Sequence, residues 1–522
     1  MDLLRSLLET KELSPPIPKN ERESLTSTLG EATGMQVYHR SITALGGVIF
    51  FLGSQGRGKL LGLLYEETSP DAARFSGEER GIELDQLTLR LCPTNHANAV
   101  ALRRTLPFTS PQLLGVHKSV GCGDRLGLAT PGHVRAVRDT GIAPIFAQQS
   151  IREMERTDRT PNEVMDDATW GVLQEGWREG FGADADHLKT TDDVDRCVES
   201  GFTFYTVDPG DHVDNAAATD TAETLVDKVA ALPWDALESS PQEMRAAYLD
   251  QSFDLGAGVM VSFSEEMLLR AVAKCGRAVA HAATMYHHLV ERMGSGRNFE
   301  LEVSVDETET PTTPAEHLFV ARELKRLGVR LVSLAPRFVG RFEKGVDYIG
   351  DLEEFEAELA RHVAVARAMG PYKISIHSGS DKFSIYPIIA RVAGDLVHLK
   401  TAGTSYLEAL RAIVAIDPAL FREILAFAKE RYATDKATYH VSADPSRFPD
   451  PQRPADDQLA GVLADLDGRQ LLHVTFGSVL TARDTDGSYR FRDRLLEALS
   501  ADEEVYYDLL EAHIGRHLAP FV

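Results

Sequence analysis

Several histidines and acidic residues sit where short runs of β-formers give way to polar loops. Glu307 ends the run 301–307, and His377 stands near the end of the run 373–378. In a strand, side chains two apart share a face. Glu307 is therefore expected to continue the face of Leu301, Val303 and Val305, and His377 to share a face with Ser375. A carboxylate and an imidazole meeting at one point suit a divalent cation that accepts mixed nitrogen and oxygen ligands, such as Zn, Mn, Ni or Co. His187 and His398 extend the set. Any one of these histidines could equally be a hydrogen-bonded core or surface residue; the metal expectation rests on the group.

A short echo links two of them. Asp186-His-Leu-Lys-Thr190 is repeated as Val397-His-Leu-Lys-Thr401. Strand alternation puts His187 with Lys189 and His398 with Lys400, and a lysine is better placed toward a wet interior than against packed helices. Basic residues also gather at loop starts: Arg152, Lys189, Arg337, Lys382 and Lys400. Arginine grips a carboxylate with two parallel hydrogen bonds, so the set points to an anionic substrate. The expected substrate contacts are Gln149, Ser150, Arg152, Arg337, Ser380, Lys382 and Lys400. Helix starts near Ser378-Gly-Ser380 and Gly403-Thr-Ser405 would add free N–H groups that favour anions.

These residues need a scaffold that brings strand ends together. From about residue 115, short strand-like runs alternate with longer helical ones, the pattern of a parallel α/β fold. Eight strands are expected, at 117–124, 143–149, 187–190, 203–208, 301–307, 331–337, 373–378 and 397–401. That order favours a closed (β/α)8 barrel of the TIM type, whose chemistry lies where the strands end. A helical insertion is expected at about 212–298, between strands four and five, and a helical C-terminal extension after about 405. Residues 1–110 read as a separate α+β accessory region, and 111–522 as the catalytic domain.

The accessory region holds a decoy. Gly53-Ser-Gln-Gly-Arg-Gly-Lys59 fits most of a phosphate-binding loop, but Leu60 stands where a magnesium-binding hydroxyl belongs. The next residues read as a returning strand, so a hairpin is expected, with nucleotide hydrolysis the weakest of the rival functions.

Composition narrows the partners. The chain has 522 residues, 43% of them hydrophobic, and a formal net charge of -24. So acidic a surface repels nucleic acid and anionic membranes. Four scattered cysteines make no disulfide framework, and no signal peptide or membrane span is legible. A cytoplasmic enzyme acting on a small anionic substrate, and able to form a homo-oligomer, is the expectation.

Longer motifs carry a family resemblance. Val120-Gly-Cys-Gly-Asp-Arg-Leu-Gly-Leu-Ala-Thr-Pro-Gly-His133, Phe146-Ala-Gln-Gln-Ser-Ile-Arg-Glu153, Asp166-Asp-Ala-Thr-Trp170, Gly182-Ala-Asp-Ala-Asp-His-Leu-Lys-Thr190, Val305-Asp-Glu-Thr-Glu-Thr-Pro311 and Ile376-His-Ser-Gly-Ser-Asp-Lys382 are similar to the tagaturonate epimerase family. The likeness covers about residues 115–410. It implies a barrel fold, a divalent metal, and interconversion of D-tagaturonate and D-fructuronate. Within the motifs, Asp186 and Glu307 are the positions expected to matter most.

Those two sugars differ at a carbon β to the ketone, whose hydrogen is not acidic. Transient oxidation by a nicotinamide is disfavoured, because no G-x-G-x-x-G follows a strand. Retro-aldol cleavage and re-addition remains, which needs a base and a Lewis acid to hold the enediolate. Asp186 or Asp124 is expected as base, and Lys189 as an oxyanion partner or Schiff-base former. Asp186 and His187 can both face the site only if the strand has already ended there. A class II aldolase and a non-catalytic sugar-acid-binding protein are the alternatives.

Overall fold

The computed structural model describes the chain except Met1, Arg57, Glu67, Thr68, residues 82–86, Ser295, Arg297 and Glu307. Its centre is a closed barrel of parallel strands: β1 (Ser119–Gly121), β2 (Ala143–Ser150), β3 (Gly182–Leu188), β4 (Phe204–Val207), β5 (Glu300–Ser304), β6 (Ser333–Ala335), β7 (Lys373–Ile376) and β8 (Val397–Lys400). Closure comes from β8 pairing with β1, Leu399 opposite Val120. All eight expected strands are present. The third is displaced: it runs from Gly182 and ends at Leu188, not from 187 to 190.

Apolar residues alternate outward along these strands. Leu301 and Val303, Ile374 and Ile376, Val397 and Leu399 pack against the surrounding helices in the main apolar cluster. Their neighbours point into the barrel, and most are polar: Asp184, Thr206, Glu302, Ser304, Lys373, Ser375, His398 and Lys400 are all buried. On β5 this inverts the expected face. The apolar residues meet the helices and the acidic ones point inward.

Between β4 and β5 the chain inserts two short helices, a small hairpin (Ser252–Asp254 with Met260–Ser262) and the 29-residue helix Glu265–Met293. Ser264 caps that helix by accepting from Met267 N, and one side of it buries Leu268, Val272, Cys275 and Val279. After β8, helices including Thr404–Ile416, Leu466–Val474 and Glu503–Leu518 form a second apolar cluster on the barrel's flank.

The N-terminal region holds a six-stranded sheet. Its centre is the antiparallel hairpin Val48–Gln55 and Gly58–Tyr65, with Gln55 opposite Gly58. The decoy loop is thus a hairpin turn. Lys59 binds no phosphate there: its Nζ donates to Gln174 (2.6 Å) and Tyr507 (3.1 Å) and pairs with Glu503 (2.9 Å). The four cysteines are free and buried. Among the described residues, no helix is long and apolar enough to cross a membrane.

Candidate active site

The loops that follow the barrel strands line a cavity. It continues into a cleft, with which it shares Asp306, Lys344, His377, Ser378 and Tyr439.

At its base, β3 and β4 fall out of register between Tyr205 and Val207, and His187 has a left-handed φ of 52°. The ordinary alternation breaks at this point, so Asp186 and His187 both line the cavity. Asp306 follows β5 and His377 follows β7. Ligand atoms of His187, Asp306 and His377 all lie within 4.8 Å of one another. Glu307 lies outside the described residues; the carboxylate the structure brings to the cluster is its neighbour Asp306.

Below this cluster lies a buried ionic network. Lys400 Nζ is 2.8 Å from Asp184, 2.7 Å from Asp186 and 2.9 Å from Glu302, and donates to Thr206 Oγ1 at 2.8 Å. Burial works against its charge, but the three carboxylates outweigh that and hold Lys400 well above the ordinary lysine value. Burial, with Asp186 and Glu302 beside it, pushes Asp184 up to about 7 despite Lys400. At Asp186 burial is overcome by Lys400, His187 and His377, which hold this carboxylate below its usual range. Asp184 is thus held above the usual carboxylate range and Asp186 below it.

His377 sits between two carboxylates, Nε2 2.7 Å from Glu302 and Nδ1 3.1 Å from Asp306. Burial would lower its pKa, but Asp306 and Glu302 push it up to about 9. His187 Nδ1 is 3.3 Å from Asp208, which orients the ring. Two imidazoles and a carboxylate form a donor set suited to a divalent transition ion. The surroundings fit a cation as well: Glu302 and Asp306 flank His377, and the buried Glu302 Oε2 has no hydrogen-bond partner.

Of the other expected residues, Ser150, Arg152, Ser380 and Lys400 line the cavity, and Arg337 lines the adjoining cleft. Ser150 caps the helix Ile151–Arg156 in a capping box with Glu153.

Five residues lie elsewhere. Asp124 spends its carboxylate on the backbone N–H groups of Leu126, Gly127 and Ala129, closing the β1 loop. Lys189 is on the surface, paired with Asp211 at 2.9 Å, because β3 has already ended. His398 is deep in the barrel, 2.9 Å from Ser119 Oγ and one inward position beneath Lys400. Lys382 donates to the carbonyls of Glu343, Val346 and Ser380, using all three of its protons on loop structure. Gln149 accepts from Arg159 away from the cavity. A register shift in β2 turns Gln148 inward instead, to donate to Asp186 at 3.0 Å.

The residues that sequence reasoning missed are Asp184, Glu302 and Asp306 on the acidic side, and Arg125, Lys344, Tyr439 and His473 on the other wall. The acidic ones carried a usable signal, since Glu300, Glu302, Ser304 and Asp306 form a polar period of two. Tyr439 and His473 arrive from the C-terminal helices and have no local signature.

Comparison with known proteins follows the same outline. A family profile, UxaE: tagaturonate epimerase, matches residues 38–521. A Thermotoga maritima protein named tagaturonate/fructuronate epimerase is 43% identical over 485 residues, 93% of this chain and 96% of that protein. Crystal structures of the fructuronate-tagaturonate epimerase UxaE from Cohnella laeviribosi, native and with one glycerol, superpose with a TM-score of 0.88 at 38% identity. They cover 96% of this chain and 99% of theirs. A barrel of this topology, with these motifs at its mouth and relatives this near in sequence over nearly its whole length, is an isomerase and belongs to the tagaturonate epimerase family.

Proposed function

We propose that this chain interconverts D-tagaturonate and D-fructuronate with a bound divalent ion, by breaking and remaking one carbon–carbon bond. The observation that carries the reading is the meeting of His187, Asp306 and His377 beside the buried Asp186 in one cavity.

His187, Asp306 and His377 would hold the ion, which when bound supplies Lewis acidity toward a ketone oxygen. Asp186 takes the proton from the hydroxyl on the carbon β to the ketone. That oxygen's electron pair forms an aldehyde, and the bond between the α and β carbons breaks toward the ketone, giving an enediolate. Lys400, fixed by three carboxylates, keeps Asp186 charged and ready to accept the proton. Gln148, donating to the other Asp186 oxygen, fixes the carboxylate's orientation. The aldehyde presents its opposite face, the bond re-forms, and Asp186 returns the proton. Nothing is oxidised or reduced at any step.

The test strips the protein with a chelator, restores single divalent metals, and follows D-tagaturonate by NMR. D-fructuronate is expected only after metal return. A folded protein that converts nothing with Zn, Mn, Ni or Co refutes the reading.

A further inference from the structure

The metal-type cluster is carried by the end of β3 and the loops after β5 and β7. The loops after β8, β1 and β2 meet on the other part of the rim, and there the cavity wall is basic. Arg125, from the β1 loop, is 4% exposed. Its Nε and Nη2 both donate to Glu153 Oε1, at 3.0 and 2.6 Å, and its guanidinium lies 3.6 Å from the Phe476 ring centre. Its Nη1 is buried without a hydrogen-bond partner. A buried, unsatisfied donor on a cation is costly, and an anionic ligand removes the cost.

The neighbours point to the same ligand. The helix Thr404–Ile416 starts at Gly403 with no side-chain cap, so its first N–H groups stay available to an anion. A Cβ at Gly403 would sit 2.2 Å from His473 Cε1 and 3.2 Å from Arg125 Nη2. Glycine there lets both side chains close over the helix start. His473 is 2% exposed, and its Nδ1 has no partner. Lys344 lines the same cavity, its Nζ donating to Ser378 Oγ at 2.6 Å beside His377. Arg125 pairs with Glu153 on this wall, in a chain whose net charge is -24.

We propose that Arg125, with Lys344, His473 and the start of helix Thr404–Ile416, forms a carboxylate-binding subsite that anchors the aldehyde fragment while it turns. The proposal rests on the epimerase reading. Cleavage between the α and β carbons of a hexuronate ketone leaves two three-carbon pieces: the enediolate of dihydroxyacetone, and 2-hydroxy-3-oxopropanoate. The carboxylate belongs to the second piece, two bonds from the new aldehyde carbon. A half-turn about the bond next to that carbon exposes its other face without moving the carboxylate. A rigid grip on the carboxylate therefore permits inversion and prevents escape. Loosening the grip converts the epimerase into an aldolase.

The test compares wild type with Arg125→Gln and Arg125→Lys, each first checked for an unchanged melting temperature. For Arg125→Gln, the KM for D-tagaturonate rises roughly 10–100-fold, the worth of one charge-assisted hydrogen-bond pair. Its preference for D-tagaturonate over the neutral D-tagatose falls by a similar factor. Free 2-hydroxy-3-oxopropanoate, absent with wild type, accumulates in the NMR spectrum. Arg125→Lys and added guanidinium each restore part of the loss. Calorimetry with D-glycerate, a three-carbon hydroxy acid, reads the subsite without turnover: wild type binds it and Arg125→Gln does not. Loss of that binding upholds the anion subsite even where the epimerase reading fails. A folded Arg125→Gln with unchanged KM, no free aldehyde and unchanged D-glycerate binding overturns the proposal. Were Arg125→Gln unable to fold, Lys344→Gln and His473→Asn would decide by the same three measurements.

Discussion

The N-terminal hairpin and the barrel strand β5 bury their side chains in opposite ways. In the hairpin both faces are apolar: Ile49 and Phe51 enter one cluster, Val48, Phe50 and Leu52 the other. In β5, Leu301 and Val303 meet helices, while Glu300, Glu302 and Ser304 fill the inside of the barrel. Both stretches are shut off from water, yet only one is hydrophobic. Buried charges are paid for by partners, and replacing such a network with apolar residues often leaves a protein as stable or more so. The charged interior of the barrel therefore serves chemistry, whereas the sheet serves packing.

Three substitutions probe that contrast. Lys400→Met leaves Asp184, Asp186 and Glu302 without their cation. It is expected to lower kcat by roughly 10²–10³-fold and to cost about 3–5 kcal/mol of stability in a urea titration. Recovery of activity in that variant would show that the network is merely structural. Phe51→Ala opens a hole beneath Gly62, its cross-strand partner. A similar loss of about 3–5 kcal/mol is expected from the emptied volume alone. Here kcat at saturating substrate should stay at the wild-type value below the melting transition; a matched fall in kcat would erase the distinction between the regions. Lys59→Met removes a partly exposed tie and should cost about 1 kcal/mol or less. Steady-state kinetics should not register it, and a large loss of turnover would return the glycine-rich hairpin to consideration as a functional loop.

Much of the barrel was legible because alternation of short apolar runs with helical ones survives in the sequence. What failed was local backbone detail. The His-Leu-Lys-Thr echo looks the same in both copies, yet Lys400 lies within β8 while Lys189 falls past the end of β3. No residue type in that stretch announces the left-handed His187 that brings both Asp186 and His187 to the cavity. On β5, Leu301, Val303 and Val305 drew attention to the wrong parity, because apolar residues face the helices in a barrel whose inside is ionic. The strands were found, though not all of their ends; which side chain each end delivers was decided by a bulge in β2 and a register shift beside β3.

Lys59 also has a bearing on how the chain comes to be made. Its hydrogen bond to Tyr507 spans 448 residues. At the usual pace of synthesis, roughly 5–20 residues per second, the hairpin leaves the ribosome tens of seconds before its partner helix. Barrel closure waits too, since β1 cannot pair with β8 until residue 400 has been added. During that interval the nascent chain carries a sheet with an uncovered flank and a barrel with two open edges, both inviting to other strands. Its demand on chaperones should therefore peak late in translation and end abruptly when the last helix docks.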